Sequence, residues 1–125
     1  MILVNIAVIL AGGIGQRMGQ NVPKQFIEIY DIPIIIRTIQ AFENHKEVDS
    51  IVIVCLEEWV DKLSSLIDKF KISKIKHMVK PGNTRRESSY NAIYSLEDIC
   101  SDDDIILIHD AARPNISESI ISANI

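Results

Sequence analysis

Residues 10–19 run Leu-Ala-Gly-Gly-Ile-Gly-Gln-Arg-Met-Gly and leave directly from an apolar stretch. Gly12, Gly13, Gly15 and Gly19 place four glycines in eight positions, which keeps backbone N–H groups open to a phosphate. Arg17 stands among them and Lys24 follows seven residues later. A glycine loop flanked by fixed cations can hold a phosphate and also stabilise charge that develops as a phosphoryl bond breaks.

The rest of the charge pattern points the same way. The chain has 125 residues, is 47% hydrophobic and 24% charged, and carries a net charge of −4. That balance suits one globular domain and argues against a general nucleic-acid binder. Yet Arg17, Lys24, Lys80, Arg85, Arg86 and Arg113 gather in loops that follow predicted strands, as a small anionic ligand requires. Cys55 and Cys100 offer neither a metal-binding spacing nor a disulfide framework, and read as buried thiols. The apolar N-terminal run is too short for a membrane span and has no cationic flank, so it reads as a core strand of a cytoplasmic protein.

Hydrophobic periodicity supplies the elements that position these loops. Ile6–Ala11 and Ser50–Leu56 are continuous apolar runs, as in strands buried on both faces. Lys74–Lys80 and Asp104–His109 make two more. A short strand is expected near Ile27–Ile29 within an otherwise irregular stretch. Helical spacing follows Pro33 through Ile34, Ile35, Thr38, Ile39 and Phe42, and again from Trp59 through Leu63, Leu66 and Phe70. Arg85–Leu96 reads as a helix with Ser89, Ala92, Ile93 and Leu96 inward, and Ser117 as the N-cap of a helix from Glu118. This alternation implies an α/β fold: a Rossmann-like parallel sheet of about four strands in the order 3-2-1-4, flanked by helices. The loops at 12–24, 81–88 and 110–113 then share one edge of the sheet, beside the point where strand order reverses. The fourth strand would be left as an edge with four consecutive apolar residues, which implies further chain or a fragment.

Two familiar phosphate loops fit poorly. A P-loop needs Lys and then Ser or Thr after its last glycine, but Gln20 and Asn21 follow Gly19. A dinucleotide fingerprint finds Gly13 and Gly15, but Met18 takes the third glycine's place, and no acid ends the second strand at the required distance.

Four motifs in order carry a more specific resemblance: residues 10–19, Pro23-Lys24-Gln25-Phe26, Gly82-Asn83-Thr84-Arg85-Arg86-Glu87-Ser88-Ser89, and His109-Asp110-Ala111-Ala112-Arg113-Pro114. With them the chain resembles the cytidylyltransferases that act on polyol phosphates, which include the 2-C-methyl-D-erythritol 4-phosphate and ribitol 5-phosphate enzymes. The resemblance covers nearly all of this chain but only about the first half of a typical member. It implies a truncated nucleotidyltransferase fold, a single nucleotide-binding domain over residues 1–125 that is the N-terminal half of a longer catalytic domain.

The resemblance implies transfer of a cytidylyl group from CTP to a polyol phosphate, releasing pyrophosphate. Arg17 and Lys24 match the residues that stabilise the transition state. Leu10, Ala11, Gly12, Gly13 and Gly15 match the nucleotide-contact loop, and Gly82, Asn83, Arg85 and Ser88 the cytosine-reading loop, with Arg86 a rival in register to Arg85. Asp110 would contact Mg²⁺, or another divalent cation, or the ribose. Arg113 would bind substrate phosphate or hold its loop. His109 reads as a structural residue at the strand end, and Trp59 as packing. The Ala-Ala of residues 111–112 is more like the methylerythritol branch; Leu10–Gly13 and Glu58-Trp59-Val60 are more like the ribitol branch. The balance falls to 2-C-methyl-D-erythritol 4-phosphate, a step in isoprenoid precursor synthesis, with ribitol 5-phosphate second. Neither a nucleic-acid nor a membrane partner is expected, and a full-length chain would form a homodimer. For these residues alone, a nucleotide-binding module without catalysis stays open.

Overall fold

The computed structural model describes residues 4–12 and 22–125. The first strand, β1 (Asn5–Ala11), is the centre of the sheet. A single 3-10 turn, Lys24–Phe26, precedes a hairpin of β2 (Glu28–Ile29) and β3 (Ile32–Pro33). Then come α1 (Ile34–Glu43), β4 (Ser50–Cys55), a 3-10 turn Glu57–Trp59 and α2 (Val60–Lys69). The chain continues through β5 (Ile75–Val79), α3 (Arg85–Ser95), β6 (Ile105–Asp110) and α4 (Glu118–Ala123).

The main sheet is parallel, in the order β5-β4-β1-β6. Counting only its four strands, this is the expected 3-2-1-4. In register, Leu10 pairs with Val54 on one side and Asp110 on the other. Alternate residues of β1 feed two cores. Ala7, Ile9 and Ala11 face a cluster with Ile35, Ile39 and Phe42 of α1, Leu63 of α2 and Ile121 of α4. Ile6, Val8 and Leu10 face Ala92 and Leu96 of α3. Helices α1 and α2 therefore cover one face and α3 the other, so the chain changes side between β1 and β6, where a cleft must open. Burial of each large aliphatic side chain contributes roughly 1.5–3 kcal/mol. Emptying Ile39, which is wholly buried, would cost about 2–5 kcal/mol.

Several local features differ from the expectation. The short strand near Ile27–Ile29 is one arm of a hairpin whose Tyr30-Asp31 loop has both φ angles positive, at 51° and 66°. This pair of left-handed residues matches the right-handed twist of the two arms, but lacks the glycine that usually marks it. Pro33 is the N-cap of α1, in keeping with helical spacing that begins after it. The inward face of α3 is Ser88, Ala92 and Leu96, a four-residue step; Ile93 points outward and is 38% exposed, and Ser89 is only partly buried. Cys55 is buried, whereas Cys100 is half-buried against the α3 core. Burial, with the nearby Glu58 charge, pushes the Cys55 thiol up to about 11, out of the reactive range. Ser117 caps α4 as expected, its hydroxyl accepting from the Ile120 N–H. Strand β6 is one edge of the sheet among the described residues, β5 being the other, and Ile108 of β6 is 39% exposed.

Candidate active site

A cleft of about 660 Å³ opens at the carboxyl ends of β1 and β6. Leu10 and Gly12 form its floor; Lys24 and Gln25 stand on one side; Gly82, Asn83, Thr84, Arg85 and Ser88 form a second wall; Asp110, Ala112 and Arg113 form a third. Three loops distant in sequence thus meet as the parallel topology requires. Among the described residues, Lys24, Arg85 and Arg113 line it against one carboxylate, Asp110, a balance that suits an anionic ligand. A larger cavity of about 730 Å³ lies along the open side of β6, with Phe42, Leu107, Ile116, Ile120 and Ile121 among its apolar lining.

Of the residues expected to act, Leu10, Gly12, Lys24, Gly82, Asn83, Arg85, Ser88 and Asp110 line the cleft. Ala11 does not: it is buried in the α1 core, and its carbonyl accepts from Gln25 Nε2. Arg17, Gly13 and Gly15 lie outside the described residues. Gly12 sits where walls close. A Cβ there would come within 2.6 Å of Pro81 Cβ, and a Cβ on Gly82 would collide with Glu87. Both positions need a residue without a side chain for the loops to approach.

The loop from Pro81 to Ser88 is internally bonded. The Thr84 hydroxyl accepts from the Glu87 N–H at 3.1 Å, capping α3. The Glu87 carboxylate accepts from the Asn83 N–H at 2.7 Å, and Ser88 Oγ accepts from the Gly82 N–H at 3.0 Å. The N–H groups of Gly82 and Asn83 are therefore already occupied within the loop. Carbonyls of this loop and the Ser88 hydroxyl proton remain for base recognition. The Thr-x-x-Glu signature at 84–87 is the sequence signal for this capping arrangement.

Asp110 is held between two guanidinium groups, with Arg85 Nε at 3.2 Å from one carboxylate oxygen and Arg113 Nε at 3.3 Å from the other. The arginine side chains are mostly exposed, so each pair contributes no more than ~1 kcal/mol. Their effect is orientation. His109 does the structural work its place implies: its Nε2 bonds the Arg113 carbonyl at 2.8 Å, and its ring packs tilted on Phe42. Trp59 stacks on Phe26 at 4.6 Å between ring centres and so backs the Lys24 turn.

The donor set bears on a metal. Among the described residues, Asp110 is the one carboxylate lining the cleft, and no group of three or more His, Cys, Asp or Glu side chains could enclose a cation. Mg²⁺ commonly takes one or two carboxylates and completes its shell with substrate phosphates and water. Asp110 fits that role, provided that an ion competes with Arg85 and Arg113. Among the described residues, no helix is long and apolar enough to cross a membrane.

Comparison with known proteins agrees with this architecture. The family model described as IspD, 2-C-methyl-D-erythritol 4-phosphate cytidylyltransferase, matches residues 5–125. A ribitol-5-phosphate cytidylyltransferase of Vibrio parahaemolyticus serotype O3:K6 is 44% identical over 122 residues, covering 97% of this chain and 51% of the relative. A 2-C-methyl-D-erythritol 4-phosphate cytidylyltransferase of Clostridium botulinum (strain 657 / Type Ba4) is 39% identical over 121 residues, covering 97% and 52%. A crystal structure of a 4-diphosphocytidyl-2C-methyl-D-erythritol synthase superposes with a TM-score of 0.79 at 27% identity, covering 98% of this chain and 52% of that one. The chain spans about half the length of the curated relatives it matches.

Proposed function

Since the chain belongs to the IspD cytidylyltransferase family, whose model matches residues 5–125, we propose that it binds CTP in the β1–β6 cleft and takes part in cytidylyl transfer to a polyol phosphate. The observation that carries this reading is the meeting of Lys24, the 82–88 loop and Asp110 in one cation-rich cleft at the sheet's reversal point.

In this reading an oxygen of the polyol phosphate attacks the α-phosphorus of CTP in line, and pyrophosphate leaves. Such transfers depend on positioning and charge stabilisation, so no nucleophilic side chain is required. Lys24 and Arg17 neutralise charge as the α-phosphorus becomes five-coordinate. Lys acts as a point charge and Arg as a bidentate donor. The Leu10–Gly13 segment and Gly15 contact the nucleotide through backbone made accessible by small residues. Arg85 reaches the nucleotide from the 82–88 loop. Ser88 donates to a cytosine acceptor, while loop carbonyls of Gly82 and Asn83 accept from its amino group. Asp110 would hold a divalent cation, Mg²⁺ for example, which when bound screens the triphosphate charge. These 125 residues would furnish the nucleotide-binding half of a longer catalytic domain, as a cytosolic protein that dimerises through segments outside this chain.

The acceptor we favour is ribitol 5-phosphate, because the Vibrio relative is more similar to this chain than the Clostridium one, and because Trp59 of the ribitol-like Glu58–Val60 stretch backs the Lys24 turn. The reading with 2-C-methyl-D-erythritol 4-phosphate is supported by the family description and by the Ala111-Ala112 pair. Pyrophosphate release from CTP with each polyol phosphate, alongside competition by UTP, tests the proposal. Turnover with ribitol 5-phosphate and weak competition by UTP are expected. Equal binding of UTP and CTP would remove the base-reading role, and no nucleotide binding at all would remove the function.

A further inference from the structure

Four polar side chains are buried among the described residues: Gln25, Thr38, His45 and Ser88. Ser88 belongs to the cleft wall. His45 joins α1 to α4 through Ser122 at 2.8 Å, away from the cleft. Gln25 and Thr38 form a pattern of their own. Gln25 Nε2 donates to the carbonyl of Ala11, the last residue of β1, at 2.9 Å. Thr38 Oγ1 donates to the carbonyl of Ala111, the first residue after β6, at 2.8 Å. Between them, the Ala111 N–H donates to the Leu10 carbonyl at 2.9 Å.

We propose that Gln25 and Thr38 are positioning residues that clamp the exits of β1 and β6 and so set Lys24 and Asp110 relative to each other. This rests on the cleft reading above. Ala11 and Ala111 are each 1% exposed, so their carbonyls need protein partners where the parallel ladder ends. Thr38 comes from α1 and Gln25 from the turn that forms one side of the cleft, and each acts one residue from Lys24 or Asp110, which line it. Lys24 adjoins Gln25 within one 3-10 turn, and Asp110 adjoins Ala111. The turn has two further anchors: the Phe26 N–H bonds the Pro23 carbonyl at 2.9 Å, and the Phe26 ring stacks on Trp59. With its backbone fixed on both sides, Lys24 keeps its exposed amine free to reach into the cleft. Aliphatic residues of similar size would fill the same volume at 25 and 38, so the hydrogen bonds, and not the packing, are what these two residues add.

The test compares Gln25→Met, Thr38→Val and Thr38→Ser with the parent chain by steady-state cytidylyl transfer and by amide hydrogen exchange. Gln25→Met and Thr38→Val should lower kcat about tenfold, as loss of a buried hydrogen bond implies. The KM for CTP should stay within about twofold, and Thr38→Ser should restore kcat, the split expected of a group acting on the transition state. The Phe26 N–H should exchange faster in Gln25→Met and the Ala111 N–H faster in Thr38→Val, with β4 and β5 protected as before. Unchanged kcat with unchanged exchange at those two amides overturns the proposal. So does an equal loss of protection across the whole sheet, which would mark core damage. If the parent chain releases no pyrophosphate, the cytidylyl-transfer reading fails for these residues, and the exchange pattern alone decides the clamp.

Discussion

Arg85 and Asp110, 25 residues apart, meet across the cleft with Nε 3.2 Å from the carboxylate oxygen. One opens α3 and the other closes β6, so the contact ties the base-side wall to the strand proposed to hold the cation. Arg113 completes the arrangement from the opposite carboxylate oxygen.

Asp110→Asn keeps the shape of this contact and removes its charge. Because the pairs are exposed, unfolding stability should change by less than ~1 kcal/mol in a denaturant titration. Activity should fall and its magnesium requirement should shift to higher concentration. Unaltered magnesium dependence would remove Asp110 from the metal role.

Lys24→Ala should lower kcat by about 10²–10³, the scale of losing one fixed charge-stabilising group. Its side chain is exposed, so the melting temperature should barely move. Nucleotide affinity measured by calorimetry should change far less than turnover. A parallel loss of both would make Lys24 a simple binding residue.

Gly12→Ala inserts a Cβ at 2.6 Å from Pro81 Cβ and forces the β1 exit and the Pro81–Ser88 loop apart. The expected result is weaker CTP binding together with a stability loss of about 1–3 kcal/mol, typical of overpacking. Wild-type affinity in this variant would mean that the two walls need not approach.

Glu43 bridges α1 to the start of β5. Its carboxylate accepts from the Ser73 hydroxyl and N–H at 2.5 and 3.1 Å and from the Lys74 N–H at 2.8 Å. Burial raises its pKa, but these hydrogen bonds, with the Lys74 charge, outweigh burial and hold it below the ordinary 4.5. A carboxylate lowered in the folded state stabilises fully above its unfolded pKa, and that contribution is lost as pH falls through the folded value. Stability should therefore drop on acidification below about pH 4.5, and Glu43→Gln should show a shallower drop. Superimposable pH profiles would assign the acid sensitivity elsewhere.

Lys71 ends α2 in the left-handed region, φ 57°, where the Ile72 N–H bonds the Ile67 carbonyl at 3.0 Å and the Lys71 N–H the Asp68 carbonyl at 3.2 Å. This cap favours glycine. Lys71→Gly should stabilise the fold by up to about 1 kcal/mol, the strain that a side chain adds there. Thermal unfolding reads this directly, and a destabilised variant would contradict it.

The element order, the parallel sheet and the convergence of three polar loops were legible in the sequence. Hydrophobic runs and helical spacing are local, and right-handed crossovers then leave few ways to arrange them. The motifs at 10–19, 23–26, 82–89 and 109–114 were legible for the same reason: each is contiguous. The hairpin at Tyr30-Asp31 was not, since the two left-handed residues include no glycine. Nor was the inward face of α3, where Ser88 rather than Ser89 or Ile93 aligns with Ala92 and Leu96.

What only tertiary structure decided is which polar groups become partners. Gln25 reaches a carbonyl 14 residues away and Thr38 one 73 residues away. The N–H groups of Gly82 and Asn83 are claimed by Ser88 and Glu87 rather than left for a ligand. A hydrogen bond is chosen by distance, angle and burial, and these exist only once the sheet and its helices are in place. Composition and spacing determined that this chain gathers cations and glycines at one edge of its sheet; packing determined which atoms of that edge remain free to act.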